Sequence, residues 1–179
     1  MARYATPTIP FVEARNVGPK QKPTSIVLSL SATTSEKGAA LGIANYHHKM
    51  NAPTQSYHYI LDEADVFRCV PDDVMAYCSP YRSLTVLICA QPHEEVALWE
   101  HGSASRVMYR AADLVADLIL LHKIRVRYLD EDAEHKWIRH KWHRNGGLIV
   151  RAIGTWPYKS FLDDVNSRIL VKTSHYVRR

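Results

Sequence analysis

Cysteine is scarce in this 179-residue chain, which has only Cys69, Cys78 and Cys89. An odd number without metal-like spacing argues against both a disulfide framework and a cysteine-based metal cluster. Buried free thiols of a protein made in a reducing compartment are expected instead. Long apolar runs are also missing. The longest, around Ala116 to Leu121, is far below the ~20 residues that a membrane span requires, so no membrane partner is expected. The N-terminal Met1-Ala2-Arg3-Tyr4 lacks the apolar core of a secretion signal. There is no internal repeat, low-complexity tract or interior linker. Hydrophobic residues at 46% and charged residues at 23% exclude a wholly disordered or fibrous chain. The length suits one domain and is too short for two ordinary ones.

Positive charge is in excess. Lysine and arginine number 23 against 18 acidic residues, for a net charge of +5, with ten histidines besides. Such a balance favours anionic surroundings: nucleic acid, cell-wall polymer or an acidic partner.

Pro7, Pro10, Pro19 and Pro23 mark residues 1–24 as an extended N-terminal arm, since proline fixes φ and lacks an N–H. Ser25 to Ser31 is a β-branched run that predicts a buried strand. A helix is expected from Ser35-Glu36-Lys37, with Ser35 as N-cap, until Asn51-Ala52-Pro53 stops it. Tyr57–Leu61 and Val66–Val70 predict two strands of a hairpin joined by Asp62-Glu63-Ala64-Asp65. Leu84–Cys89, nearly unbroken in apolar character, suits the middle of a sheet covered on both faces. A long helix follows from about His93 to Lys123. Val107, Ala111, Leu114, Val115, Leu118 and Leu121 form its apolar stripe, and Gly102 is placed to bend or divide it. A short strand over Ile124–Leu129, an irregular basic segment and a last helix from near Pro157 complete the chain. The fold class is therefore α/β: a single domain over residues 25–170 with a mixed central sheet flanked by helices, followed by a basic C-terminal tail over 171–179.

Few side chains invite a functional reading on their own. His47 and His48 are adjacent on a helix, about 100° apart, and do not easily share one ion. Strand alternation places His58 on the face opposite Tyr57, in the core. Cys78 reads as an inert thiol. The segment 134–144 interleaves cations with Trp137 and Trp142, a pattern able to stack on bases or sugars. No nucleic-acid motif accompanies it, so no specific nucleic acid is expected. Arg3, Tyr4, Trp137, Trp142, Arg144, Arg178 and Arg179 are candidates for contacts with other chains.

Three stretches taken in order carry a resemblance: Ile26–Thr33, Ser56–Asp62 and Val70–Tyr77. Together they resemble the zinc N-acetylmuramoyl-L-alanine amidases and the peptidoglycan recognition proteins. The lead-in Ile9–Asn16 is similar to amidase modules in endolysins of phages that infect actinobacteria. The resemblance covers residues 9 to 169 and implies an amidase-like fold. In that family two histidines and a cysteine or aspartate hold one Zn²⁺, and the metal acidifies the water that attacks the amide.

Carried onto this chain, the first histidine falls on Ser29 and the late one on His143 or His140. The acid or thiol ligand falls on Ala152 or Arg151, and the assisting tyrosine is kept as Tyr57. Serine, alanine and arginine are poor zinc donors. The resulting expectation is a chain without enzymatic activity, bound metal or other cofactor, a pseudoenzyme whose vestigial cleft is formed by these positions. Its role would be that of a phage virion component, minor tail or capsid-associated, assembled in the host cytoplasm and bound to other virion proteins through its terminal arms. Two alternatives stand beside it: a non-catalytic peptidoglycan-binding protein, and an active amidase with relocated zinc ligands.

Overall fold

Two eight-residue strands, Ser25–Ala32 and Ser83–Ala90, form the spine of the molecule and pair in parallel along their whole length. Every residue of the second is buried, as a parallel strand covered on both faces requires. The computed structural model describes residues 8–49, 54–80, 82–91, 99, 101–124, 147–151 and 157–177. In chain order the elements are β1 (Val17–Lys20), β2 (Ser25–Ala32), α1 (Ala39–His48), β3 (Tyr59–Leu61), β4 (Val66–Arg68), β5 (Val74–Ala76), β6 (Ser83–Ala90), α2 (Gly102–His122), β7 (Gly147–Arg151) and α3 (Tyr158–Val177). The main sheet has the order β4-β3-β6-β2-β7, and β1 and β5 form a separate antiparallel ribbon. Within the main sheet only the β3–β4 hairpin is antiparallel. The sheet is mixed, as expected.

Alternation along the strands divides the core in two. Ile26, Leu28, Tyr59, Leu61, Leu84, Val86 and Ile88 face α2 and α3. Ile60, Leu87 and Cys89 face Ala40 and Ala44 of α1. The described helices thus cover both faces of the sheet. Helix α2 is buried more widely than one stripe: Ala112, Ala116 and Ile119 are enclosed along with the predicted positions, because α3 packs against α2 as the sheet does. Leu121, expected in the stripe, is 37% exposed near the helix end. Gly102 opens α2 at φ 68.

Local chemistry moves the start of α1. Its N-cap is Gly38 at φ 96, a conformation that suits glycine, with no side-chain cap of its own. Ser35 is not the cap; its hydroxyl donates to Ser103 Oγ at 2.8 Å. The orphan amides at the helix start are met by Asp62, whose Oδ2 accepts from Gly38 N and Ala40 N at 2.8 and 3.0 Å. Its Oδ1 accepts from Ala64 N and Asp65 N at 2.9 and 2.8 Å. One fully buried carboxylate thus fixes both the β3–β4 turn and the entry to α1.

From Ile9 to Pro23 the proline-bearing lead-in is extended and lies on the domain. Val12 N and Ala14 N donate to Arg68 O and Cys69 O, and Arg68 N donates to Pro10 O, so this segment covers the β4 edge. Ala14 is a core residue, Gln21 is buried, and residues 17–20 form β1. Helix α3 carries the basic end onward to Val177. Lys172 pairs with Asp113 and Asp117 at 2.9 and 2.5 Å, and Arg168 with Asp113 at 3.1 Å, tying α3 to α2. The expected strand over 124–129 lies outside the described residues beyond Ile124.

Two substitutions test this packing. Asp62→Ala leaves four amides without their acceptor and is expected to cost on the order of 3 kcal/mol, read by urea denaturation. At Gly18 an added Cβ would stand 2.7 Å from Met75 Cε and 3.1 Å from Met75 Cβ across the ribbon. Gly18→Ala is expected to cost roughly 1–3 kcal/mol by overpacking, visible as a lowered Tm.

Candidate functional site

Parallel pairing builds the candidate site. Ser29 on β2 is in register with Leu87 on β6 and with Arg151 on β7, and Leu87 is in register with Ile60 on β3. Register partners share a face, so Ser29 lies on the α1 side of the sheet with Leu87 and Ile60, and Arg151 holds the neighbouring β7 position. Two of the predicted positions, remote from each other in sequence, therefore stand on adjacent strands. Ser29 is half-buried. Two residues on, Ser31 Oγ lies 2.5 Å from Thr33 Oγ1, and both hydroxyls bond the Cys89 thiol.

Tyr57 reaches the same face. It packs against the α1-side cluster, and its ring meets His47 edge-on at 5.8 Å between centroids. Since β6 lies between β3 and β2 and Ile60, not Tyr57, is level with Leu87 and Ser29, the chain near Tyr57 is roughly 14 Å from Ser29, two strand spacings across and about three residues along. Strand alternation would place Tyr57 with Tyr59 on the opposite side. It does not, because β3 begins only at Tyr59 and the chain bends at His58.

That bend corrects the expectation for His58, which is core, as expected, but on the same face as Tyr57. Its Nδ1 accepts from Thr85 N at 3.0 Å, which places the ring proton on Nε2, and Nε2 donates to Val74 O at 2.8 Å. Gln21 Nε2 donates to Ser83 O at 3.1 Å and Val74 O at 3.3 Å. His47 and His48 do not share a ligand. Each turns Nδ1 to a backbone oxygen at 2.7 Å, of Gln55 and Glu13 respectively.

The three thiols are free, as expected. Burial pushes Cys69 up to about 12 and Cys89 up to about 11, so both stay protonated at neutral pH. Arg3, Tyr4, Trp137, His140, Trp142, His143, Arg144, Ala152, Arg178 and Arg179 lie outside the described residues. Among the described residues, no three His, Cys, Asp or Glu side chains group to hold a metal ion. The serine hydroxyl at Ser29 is a weak donor for Zn²⁺. The described donors do not fit a zinc centre.

A second polar cluster, not anticipated from the sequence, lies toward α2. Asp72 accepts from Tyr59 Oη at 2.7 Å, His122 Nε2 at 2.7 Å and Arg68 Nη2 at 3.2 Å. Burial disfavours the carboxylate, but the bonds from His122 and Tyr59 and the charge of Arg68 outweigh it and hold Asp72 below the usual carboxylate range. Its only sequence signal was its place in Val70-Pro71-Asp72-Asp73.

A sheet with helices on both faces, with Ser29, Ser31 and Thr33 toward the carboxyl end of the parallel strand β2, is the plan of an α/β domain. The class is the amidase fold. Staphylococcus aureus hydrolase AmiA, solved in complex with its ligand, shares 17% identity at a TM-score of 0.65, over 96% of this chain and 87% of that one. The E90A mutant of PlyL shares 16% at 0.62, over 89% and 99%. The endolysin N-acetylmuramoyl-L-alanine amidase LysCS from Clostridium intestinale shares 13% at 0.61, over 90% and 97%. No family model and no curated protein matches the sequence. At these identities the shared property is the fold: this chain has the fold of the N-acetylmuramoyl-L-alanine amidases and endolysin catalytic domains.

This finding corrects the expectation that the chain is not an enzyme. The scaffold is that of named hydrolases and amidases along nearly its whole length. The contrary inference ran from lost ligands to lost activity. Most of the positions it relied on, His140, His143 and Ala152, lie outside the described residues, and Arg151 is described by its strand register.

The Asp72 cluster yields a prediction with a definite sign. A carboxyl held below its unfolded value of about 3.9 contributes stability that is present above that pH and lost as pH falls through the folded value. Asp72→Asn is expected to lower Tm at pH 7 and to flatten the acid limb of a Tm profile between pH 5 and pH 2, both set roughly by this one group.

Proposed function

We infer that this protein acts on bacterial cell-wall peptidoglycan, taking a muropeptide on the α1-side face of the sheet that carries Ser29 and Tyr57, and that it does so as a component of a phage particle. The observation that carries the reading is the extent of the fold match. Nearly complete amidase and endolysin domains superpose on nearly the complete chain, including a hydrolase solved with its ligand. The net charge of +5 suits an anionic wall polymer. A phage setting is in keeping with the endolysins among the similar structures, and the particle role draws on the basic residues Arg3, Arg178 and Arg179, suited to contacts with neighbouring subunits. Ser29, Ser31, Thr33 and Tyr57 carry hydroxyl groups, suited to hydrogen-bonding amide and sugar groups.

Co-sedimentation with purified sacculi tests the reading. The protein is expected to pellet with them at low salt and to be released as salt rises. Tyr57→Ala, checked for folding by circular dichroism, is expected to weaken association roughly tenfold, as for loss of a buried aromatic anchor. Sacculi recovered from the same incubation are assayed for new alanine amino termini, the product of amide cleavage at the lactyl group. Failure to sediment at low salt sinks the reading, and absence of the protein from purified particles removes its virion part.

A further inference from the structure

We propose that the buried His58 imidazole is a pH-sensitive latch holding the β1–β5 ribbon on the main sheet, so that a second ring proton releases the ribbon while the five-stranded sheet stays folded. Besides the apolar contacts of Val74 and Ala76 with Ile60, Leu87 and Cys89, the ribbon meets the main sheet, among the described residues, at a polar junction built on His58. His58 Nε2 donates to Val74 O in β5 at 2.8 Å, and Gln21, which follows β1, donates from Nε2 to the same carbonyl at 3.3 Å and to Ser83 O in β6 at 3.1 Å. On its other edge the ring is fixed to β6, where Nδ1 accepts from Thr85 N at 3.0 Å and lies 3.0 Å from Thr85 Oγ1. His58 has no exposed surface and Gln21 is 8% exposed.

A junction of this kind tolerates only the neutral ring. A proton on Nδ1 would face the Thr85 N–H, donor against donor. Thr85 Oγ1 would be left to accept it, and the backbone amide of Thr85 would lose its partner in a dry site. The cation would also be buried. The charged groups around it are Asp72, which favours the cation, and Arg68 and His122, which oppose it. Burial dominates and holds His58 at about 4.

The linkage sign follows. The folded value lies below the ordinary histidine value of about 6.5, so the latch is fully engaged above that pH and is lost as pH falls from about 6.5 towards 4. Between pH 7 and pH 5 the ribbon's opening equilibrium is expected to rise roughly twentyfold. The ribbon adjoins the candidate site. β5 leads into Tyr77 and Cys78, whose amides donate to Ser56 Oγ at 3.0 Å and Ser56 O at 3.2 Å, beside Tyr57. Opening therefore loosens one wall of that site, whatever ligand the site takes.

Hydrogen exchange on the full chain at pH 7 and pH 5, corrected for intrinsic rates, tests the latch, together with imidazole ¹⁵N shifts for the state of the His58 ring. The expected result is an Nε2–H tautomer at pH 7 and a roughly twentyfold loss of protection at Gln21 and Val74 at pH 5. The amides of β2 and β6 should keep theirs. In His58→Gln, which can donate to Val74 O without titrating in this range, the pH dependence should vanish; should that variant not fold, the wild-type measurements decide alone. Unchanged protection in the ribbon, simultaneous loss in the ribbon and the central strands, or an Nδ1–H tautomer would each overturn the proposal.

Discussion

The carboxylate of Asp62 is buried where the β3–β4 turn, the entry to α1 and the end of β3 meet, and the layered arrangement depends on it. Each oxygen accepts two backbone amides, so an ion that would be costly to bury alone is fully solvated by the chain. Glu63 N donates to Ser35 O beside it, and the guanidinium of Arg106 on α2 pairs with the Glu63 carboxylate. One turn thereby touches helices on both faces of the sheet. The glycine at the α1 N-cap is tolerated because the cap is supplied from another segment.

The polar groups of the core follow the same rule. His58, Gln21 and Thr85 join the ribbon to the sheet, Ser25 and Ser83 meet at 2.7 Å where β2 and β6 begin, and Asp72 gathers Tyr59, Arg68 and His122. Each links segments distant in sequence, and each is expensive to leave half-satisfied. The sheet that displays Ser29 is therefore held by apolar packing on both faces and by a few directional bonds at its margins. That rigidity holds the face carrying Ser29 and Tyr57 as a fixed surface, with the ribbon at one side.

The site was legible only in part. Ser29 and Tyr57 could be singled out because the stretches around them resemble amidases, and Ser29 and Arg151 do fall on neighbouring strands. Sequence reasoning erred on His58 because it carried period-two alternation through a bend, where the period no longer holds. Asp72 was missed because a carboxylate in a short loop has no signature until Tyr59 and His122 are folded onto it. Activity was not legible in the ligand types at Ser29, Arg151 and Ala152, because the scaffold of named amidases emerges only when the whole chain is folded.

By itself the sequence determined what local chemistry encodes: the two long apolar strands, the helical stripe of α2, the hairpin between Tyr59 and Arg68, the helix following Pro157 and the α/β class. Tertiary structure alone decided that β1 pairs with β5, that β7 flanks β2, that Tyr57 turns towards α1, and that Asp62 caps a helix more than twenty residues before it. Periodicity specifies which face of an element is apolar. Register, and the acceptor an orphan amide finds, depend on segments brought together only when the chain is closed.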